Sequence, residues 1–546
     1  MTSVPLPSQI QVGSFFLETL TTGMYESPLH CLREYVQNGF DAINEAVAAD
    51  LIAADEGKIT VSVTGSGARQ NISIHDNGAG APLAEAVERF VSLGASRKRP
   101  QRHAGFRGIG RLAGIAYCTT LKFTTKAQGE VEATIITFDC AKIRAFMAPG
   151  AAVRGVSEVI QECVTAATVA APTHKHYTEV EMLGLVEAGI EFADREKLQP
   201  YLGQYAPTDY SAQFPFAEQI RSYAAGLGHK LPVVEVELKT RKDRTRITKL
   251  YQKSYPAPAD GTRRDPSVLS RIEMIGSPAH GWFGWFGVSN FPGAIPDVNV
   301  MSLRFRQKNI QIGDNSVVEN IAGARKDGRD TRATDRIHQR WTVGEIFITN
   351  PGVVPNARRD GFEDNAAWRQ IQADVAGVTQ TIAKLIRSSS TKRNLLNKPS
   401  KAVSEQRDAL KARGSTLDEA TRRAVDAELA AQLEAIEKAV KKGADAKEAA
   451  QLIAAIKEIR EAMKEAAKAE APPSTPPEPP QDGAPPSGED DADTPGRPWT
   501  GTDEPDDADD DEPESPELAI VRLILTERLG EALAEEIMEA VYARLA

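Results

Sequence analysis

Cysteine is scarce in these 546 residues. The four present, Cys31, Cys118, Cys140 and Cys163, include no CxxC pair. That excludes a disulfide framework and a zinc ribbon, and it fits reduced, buried thiols in a cytoplasmic protein. Long apolar runs are missing too: none reaches the roughly 18 residues that would span a bilayer, so no membrane segment is expected. The opening "MTSVPLPSQIQVGSFF" has neither the basic n-region nor the apolar h-region of a secretory leader. GxxxxGK[ST] occurs nowhere, which excludes a Walker-type phosphate loop. An excess of positive charge is absent as well. The net charge is −11, but fourteen acidic residues and a single basic one, Arg497, lie between Asp482 and Glu514, so the rest of the chain is close to neutral. The acidity belongs to a tail, and a near-neutral body does not favour nucleic acid as a partner.

What the chain does have is length for more than one core. Residues 1–200 interleave a helix around 28–50 with the strand-like "KITVSVTG", "NISIHD", "TTLKFTTK", "VEATIITFD" and "YTEVEML", around a glycine-rich region that runs to about 114. Antiparallel-looking hairpins among helices predict an α/β sandwich and not a doubly wound sheet. Residues 201–395 read as a second α/β unit. Its strands are "LPVVEVELKT" beside "RTRITKLYQ", then "MSLRFRQKNIQIGD" and "VGEIFITN"; "HGWFGWFGVSNF" is a core strand-turn, and a helix at 364–389 closes the unit. Over 396–470 the composition narrows to Ala, Glu and Lys. Val425, Leu429, Leu433, Ile436 and Val440, then Ile453, Ile456, Ile459 and Met463 beyond Gly443, predict an antiparallel helical hairpin or short coiled coil. Residues 471–516, rich in Pro, Gly, Asp and Glu, cannot bury a core and are expected to be disordered. The amphipathic stretch 517–546 predicts a helical docking module.

Three stretches carry chemistry. "REYVQNGFDAINEA" (33–46) places Glu34, Asn38 and Asp41 on one stripe of a helix. Alone, they fit a polar face with a capping role. "IHDNGAGAP" (74–82) sends Asp76 from a strand into a glycine turn, which alone means only a turn. "HAGFRGIGRLAGIAYC" (103–118) sets glycines 105, 108 and 110 before a helix, where backbone N–H groups and the helix terminus would favour an anion. "HKH" puts His174 and His176 on one strand face without a third ligand, so no metal site is predicted there. The run "SRKRPQRH" (96–103) reads as a solvated basic segment, with Arg97 or Lys98 as the residues that would touch phosphate.

In this order and spacing the stretches resemble the nucleotide-binding fold of the GHKL ATPases: gyrase B, the ninety-kilodalton heat-shock chaperones, histidine kinases and MutL, with the MORC ATPases close by. E-x-x-x-N-x-x-D-A is matched by Glu34, Asn38, Asp41 and Ala42, and D-x-G-x-G by Asp76, Gly78 and Gly80. The lid-end glycine motif is matched by Gly105, Phe106, Arg107, Gly108, Ile109 and Gly110, and the closing threonine by Thr178. The resemblance implies a Bergerat-type α/β sandwich ATP-binding domain followed by a transducer-like middle domain, with ATP and Mg²⁺ as ligands. It implies that Asn38 gives its carbonyl oxygen to the ion and that Glu34 orients or deprotonates the attacking water. Asp76 would accept from the adenine amino group, Thr178 would buttress that edge, and 85–104 would be a mobile lid. Histidine kinases generally lack a carboxylate at the position of Glu34, so hydrolysis is favoured over phosphotransfer.

In the second unit, "VVPNARRDGFE" (353–363) resembles the heat-shock chaperone loop N-x-x-R-[DE], matched by Asn356, Arg359 and Asp360, with Arg359 reaching the γ-phosphate. A solvated loop is the other reading of Arg358 and Arg359, and Lys308 in "RFRQKN" resembles the cation position of gyrase and MutL. The expectation is an ATPase that drives a homodimeric clamp and remodels a protein client. The alternatives are a DNA-associated clamp of MORC or MutL type, with nucleic acid the less favoured partner, or a phage-defence or regulatory ATPase that senses a partner.

Overall fold

Ser27 and Pro28 start the helix that organises the first domain. The Ser27 hydroxyl accepts the Leu29 N–H at 3.3 Å, and Pro28 stands in the first turn, where a missing N–H costs nothing. In this computed structural model the described residues are 12–470, apart from 22, 24–26, 95–97, 100–102, 106–107, 260–265, 323–332 and 414–417. They part into two compact units between Arg387 and Ser388. The segments 471–516 and 517–546, expected to be a disordered linker and a helical module, lie outside the described residues.

The first unit begins with α1 (Phe15–Thr21), α2 (Pro28–Ala48), β1 (Lys58–Thr64), β2 (Asn71–Asp76) and α3 (Leu83–Val91). It continues through β3 (Cys118–Lys126), β4 (Glu132–Asp139), α4 (Cys140–Met147), α5 (Val156–Cys163), β5 (Val164–Ala170) and β6 (Tyr177–Leu185). Then come α6 (Arg195–Tyr205), α7 (Ala217–Gly226), β7 (Glu235–Lys239) and β8 (Arg244–Ile247). The eight strands form one sheet in the order β5-β4-β3-β6-β2-β1-β7-β8, antiparallel except where β1 meets β7. Period-two alternation turns Ile72, Ile74, Phe123, Ile136 and Met182 to one face, where α2 covers them with Tyr35, Phe40 and Ile43. That is the α/β sandwich expected from the interleaved pattern.

Two details differ from the expectation. β7 and β8 pair with each other as predicted, yet they extend the first sheet and do not join the sheet of the α/β unit expected over 201–395. Ile59 stands opposite Val236 and Val61 opposite Leu238 in register, so the division expected at 200/201 does not fall between the sheets. Alternation within a strand shows which face is apolar, not which edge it will join. β5 was not anticipated, because "VTAATVA" is small and exposed along almost its whole length.

A second sheet follows: β9 (Ser254–Tyr255), β10 (Ser267–Ser277), β11 (Trp282–Ser289), β12 (Ser302–Gln307), β13 (Ile310–Ile312) and β14 (Val343–Ile348). Its order is β13-β12-β14-β11-β10-β9, and α8 (Asn315–Ala322), α9 (Ala333–Gln339) and α10 (Ala366–Asn394) accompany it. "WFGWFGVS" is a central strand buried along its whole length, hence its unbroken aromatic reading. Trp282 and Phe286 pack with Trp368 and Ile371 of α10, while Phe283 and Trp285 pack with Tyr210 and Phe214. Between these clusters Glu345 is fully buried. It accepts from Lys249 at 2.9 Å, from Trp285 Nε1 at 3.2 Å, and from Arg306 and Tyr210. Arg306 also donates to the carbonyls of Asn309 and Gln204, both at 2.9 Å, which joins β12 to the end of α6.

The second unit holds α11 (Asn397–Arg413), α12 (Glu419–Lys441) and α13 (Ala446–Glu470). The predicted seam is buried: Leu429, Leu433 and Ile436 meet Ile453, Ile456 and Ile459. Gly443, at φ +83°, ends α12 in a Schellman turn, with Ala444 N–H on Ala439 O (3.0 Å) and Gly443 N–H on Val440 O (2.8 Å). A third helix joins the expected pair, because α11 adds Val403 and Leu410 to the seam; its composition is otherwise too polar to show a stripe. No helix among the described residues is long and apolar enough to cross a membrane. All four cysteines are buried and unbridged.

Glu345→Ala leaves two buried cations facing no carboxylate. It is expected to destabilise the protein by about 3–5 kcal/mol, seen as an earlier urea transition in tryptophan fluorescence, since Trp285 touches the site.

Candidate functional site

A cleft of about 300 Å³ opens where α2, the end of β2, the start of β6 and the loop before residue 110 converge. Glu34, Asn38, Ala42 and Glu45 line it from α2, at spacings that keep one stripe of the helix facing inward. Asp41, predicted among the nucleotide contacts, does not line it. It lies beneath, where its carboxylate accepts the N–H groups of Ala104 (2.6 Å) and Gly105 (2.9 Å) and the Lys98 ammonium (2.9 Å). Asp41 therefore holds the glycine loop against the helix.

The loop has to be glycine because it comes so close. A Cβ on Gly105 would stand 2.9 Å from Asn38 Oδ1, and one on Gly110 would collide with the Glu34 carboxylate. Gly108 and Ile109 also line the cleft, while Phe106 and Arg107 lie outside the described residues. The helix expected after Gly110 is a 3₁₀ helix, Gly110–Ala116. Tyr35 explains this. Its hydroxyl takes the Gly114 N–H (3.0 Å), which an α-turn would have used, and donates to the Arg111 carbonyl (3.0 Å).

At the opposite end, Asp76 closes β2 and pairs in register with Thr178 of β6; both line the cleft, as does Gly80. Asp76 Oδ1 accepts the Gly78 N–H at 2.9 Å, and Gly78 lies under the turn while Ala79 donates to Ala42 O at 2.9 Å. Burial pushes the Asp76 carboxyl up to about 7, against the pull of the N–H groups of Gly78 and Thr178. Two supports escaped the sequence reading. Thr125 accepts the Ala81 N–H (2.8 Å) and sits 3.3 Å from the Thr178 hydroxyl. His176 donates from Nδ1 to the Gly78 carbonyl (2.8 Å), so one imidazole of the "HKH" run holds the turn. A lone Thr on a strand and a His before one carry no local signal of such roles.

The loop after β14 completes the cleft. Arg359 is buried, with φ +56°; it donates to the Ala104 carbonyl and places Nε 3.3 Å from Glu34 Oε1. Its turn is pinned by Arg359 N–H on Asn356 O (3.2 Å), Gly313 N–H on Arg359 O (2.8 Å) and Arg33 on Arg358 O (2.9 Å). Asn356 donates to Asp360 at 2.6 Å. The Arg358 side chain is exposed. Lys308 occupies the two-residue turn between β12 and β13, where it and Asn309 have φ +52° and +62°, the type I′ geometry. Burial pushes its ammonium down to about 8, with Arg359 and Lys98 adding to the fall and Asp41 opposing it. Both cations weighed in the sequence thus come to the same neighbourhood, and Arg359 is the one that lines the cleft.

A helix stripe of Glu and Asn under a glycine loop, on an open α/β sandwich with an Asp at the strand end, is the arrangement expected of a nucleotide-binding domain. Residues 25–152 match the family described as histidine kinase-, DNA gyrase B-, and HSP90-like ATPase, and this part of the chain is a GHKL-type ATPase domain, which supports ATP as its ligand. Glu34 through Gly110 fall inside the matched segment, and Thr178, Lys308 and Arg359 beyond it. No curated protein matches the chain.

Asp41→Ala removes the acceptor of two loop amides. Hydrogen exchange at Ala104 and Gly105 is expected to accelerate at least about tenfold. Because folding raises the Asp76 pKa from 3.8 to about 7, the folded state keeps a proton that the unfolded chain has lost. This contribution to stability is complete below pH 4 and disappears as pH rises through 7. Thermal melts across that window are expected to show the slope in the parent chain and lose it in Asp76→Asn.

Proposed function

We propose that the chain is a Mg²⁺-dependent ATP hydrolase whose nucleotide cycle closes two protomers as a clamp and remodels a protein partner. The observation that carries this reading is the Glu34–Arg359 pair, in which the general-base candidate on α2 meets an arginine delivered by the loop after β14. The residues present fit Mg·ATP. Asn38 offers a neutral oxygen donor at the cleft, and the two loop glycines leave open the space a side chain would fill against Asn38 and Glu34. Asn38 would hold the ion, whose charge offsets that of the phosphates when it is bound.

In this reading Glu34 orients the attacking water and takes its proton. Arg359 stabilises the charge that develops on the transferred phosphoryl group. Here Arg359 neutralises Glu34; with phosphate present the guanidinium has a stronger anion to meet, which frees the carboxylate to act as base. Asp76, held by the Gly78 N–H on Oδ1, would accept from the adenine amino group at the cleft, with Thr178 beside it in register. The loop 353–363, similar to that of the heat-shock chaperones, supports a protein client over nucleic acid. Closure of 85–104 over the cleft and release on hydrolysis supply the conformational cycle.

Glu34→Ala is expected to lower ATP turnover at least about 100-fold while binding Mg·ATP like the parent and accumulating as a dimer in size measurements with ATP. Full turnover by that variant overturns the reading. Asp76→Asn presents an amide donor to the adenine amino group, and calorimetry is expected to show ATP affinity falling about tenfold or more. Stimulation of turnover by an unfolded protein supports the client; salt-dependent retention on DNA counts against it.

A further inference from the structure

The cations that line the cleft are already paired, with one exception. Arg89 lies 3.3 Å from Glu45, Lys98 2.9 Å from Asp41, and Arg359 3.3 Å from Glu34. Arg111 has no carboxylate within 4 Å among the described residues, and the charge it feels most is that of Arg89. It is nonetheless half-buried and lines the cleft. Burial and the neighbouring Arg89 push its guanidinium down to about 10, in the direction expected of a cation held without a counter-charge.

Its position is not accidental. Arg111 directly follows Gly110, where a Cβ would collide with the Glu34 carboxylate, and its carbonyl is bound by the Tyr35 hydroxyl at 3.0 Å. Tyr35 is itself buried and also takes the Gly114 N–H, so the backbone that projects Arg111 is fixed on both sides. A desolvated guanidinium beside a second one is unfavourable unless an anion completes the arrangement.

We infer that Arg111 is a phosphate-binding residue of the cleft, receiving non-bridging oxygens of the nucleotide's phosphate chain. The inference rests on the reading of this cleft as an ATP site. Arg89, Lys98 and Arg359 must each give up or share a carboxylate to meet a phosphate. Arg111 gains a partner and loses none, so it contributes the larger net attraction. It thereby sets the preference of the site for phosphorylated nucleotide over nucleoside.

The test is calorimetry on the full chain with Mg·ATP and with adenosine. Arg111→Met, which keeps length and apolar volume, is expected to bind ATP about 10–100-fold more weakly and adenosine within twofold of the parent; Arg111→Lys is expected to recover part of the loss. ATP affinity within twofold of the parent in Arg111→Met, or equal losses for ATP and adenosine, overturns the inference. A second measurement needs no variant: inorganic tripolyphosphate is expected to protect Arg111 of the parent chain from phenylglyoxal, mapped by mass spectrometry, while adenosine does not. Equal labelling with and without tripolyphosphate also overturns it. If the parent chain binds neither ATP nor adenosine, the ATP-site reading itself fails, a result distinct from failure of Arg111 alone.

Discussion

A carboxylate taken out of water must find a partner, and the face of α2 carries two that find theirs in distant parts of the chain. Asp41 is matched by the amides of Ala104 and Gly105 and by Lys98, Glu34 by Arg359. These pairings do more than offset desolvation. The first draws a glycine loop down onto the helix and so shapes one wall of the cleft. The second joins a loop of the second sheet to the helix that carries the first domain's polar stripe.

From that constraint much of the remaining geometry follows. The loop can lie against the stripe only because positions 105 and 110 carry no side chain. Arg359 can reach Glu34 only because its backbone is held at positive φ, and three hydrogen bonds to the turn, one of them from Arg33 on α2 itself, keep it there. Glu345 plays a comparable part deeper in the second sheet. Its buried contacts fix Arg306, and Arg306 binds the carbonyl of Asn309 in the turn that carries Lys308. The charged groups of this first unit are thus layered, with an inner cluster that orients the elements and an outer one at the cleft.

At the cleft the balance of charge is unequal from one end to the other. Around Glu34 the cations outnumber the anions, since Arg33, Arg359 and Arg111 all lie near one carboxylate or the glycine that touches it. At Asp76 there is a single desolvated carboxyl whose proton is held to about pH 7. A ligand with an anionic chain at one end and hydrogen-bond donors at the other matches this polarity. ATP has that character, and the family match over 25–152 points to the same ligand.

Local pattern made much of this legible. The stripe of Glu34 and Asn38, the Asp76 turn and the glycine spacing are periodic or punctuating features within a few residues of each other, and helix and strand geometry translate them directly into position. The alternating strands of the first sheet and the seam of α12 and α13 were readable for the same reason. The remainder was settled by contacts between segments far apart in the chain. β7 and β8 joined the first sheet because β1 had an open edge, a fact of assembly that their own residues do not encode. Asp41 became a loop anchor and not a wall of the cleft because Ala104 and Gly105 reached it first; Tyr35 turned the helix after Gly110 into a 3₁₀ turn; Thr125 and His176 acquired their roles from strands and turns brought beside them. Arg111 is the clearest instance. One more basic residue after a glycine says nothing by itself, and its meaning comes from having no carboxylate within 4 Å among the described residues, which no local reading of residue types can reveal.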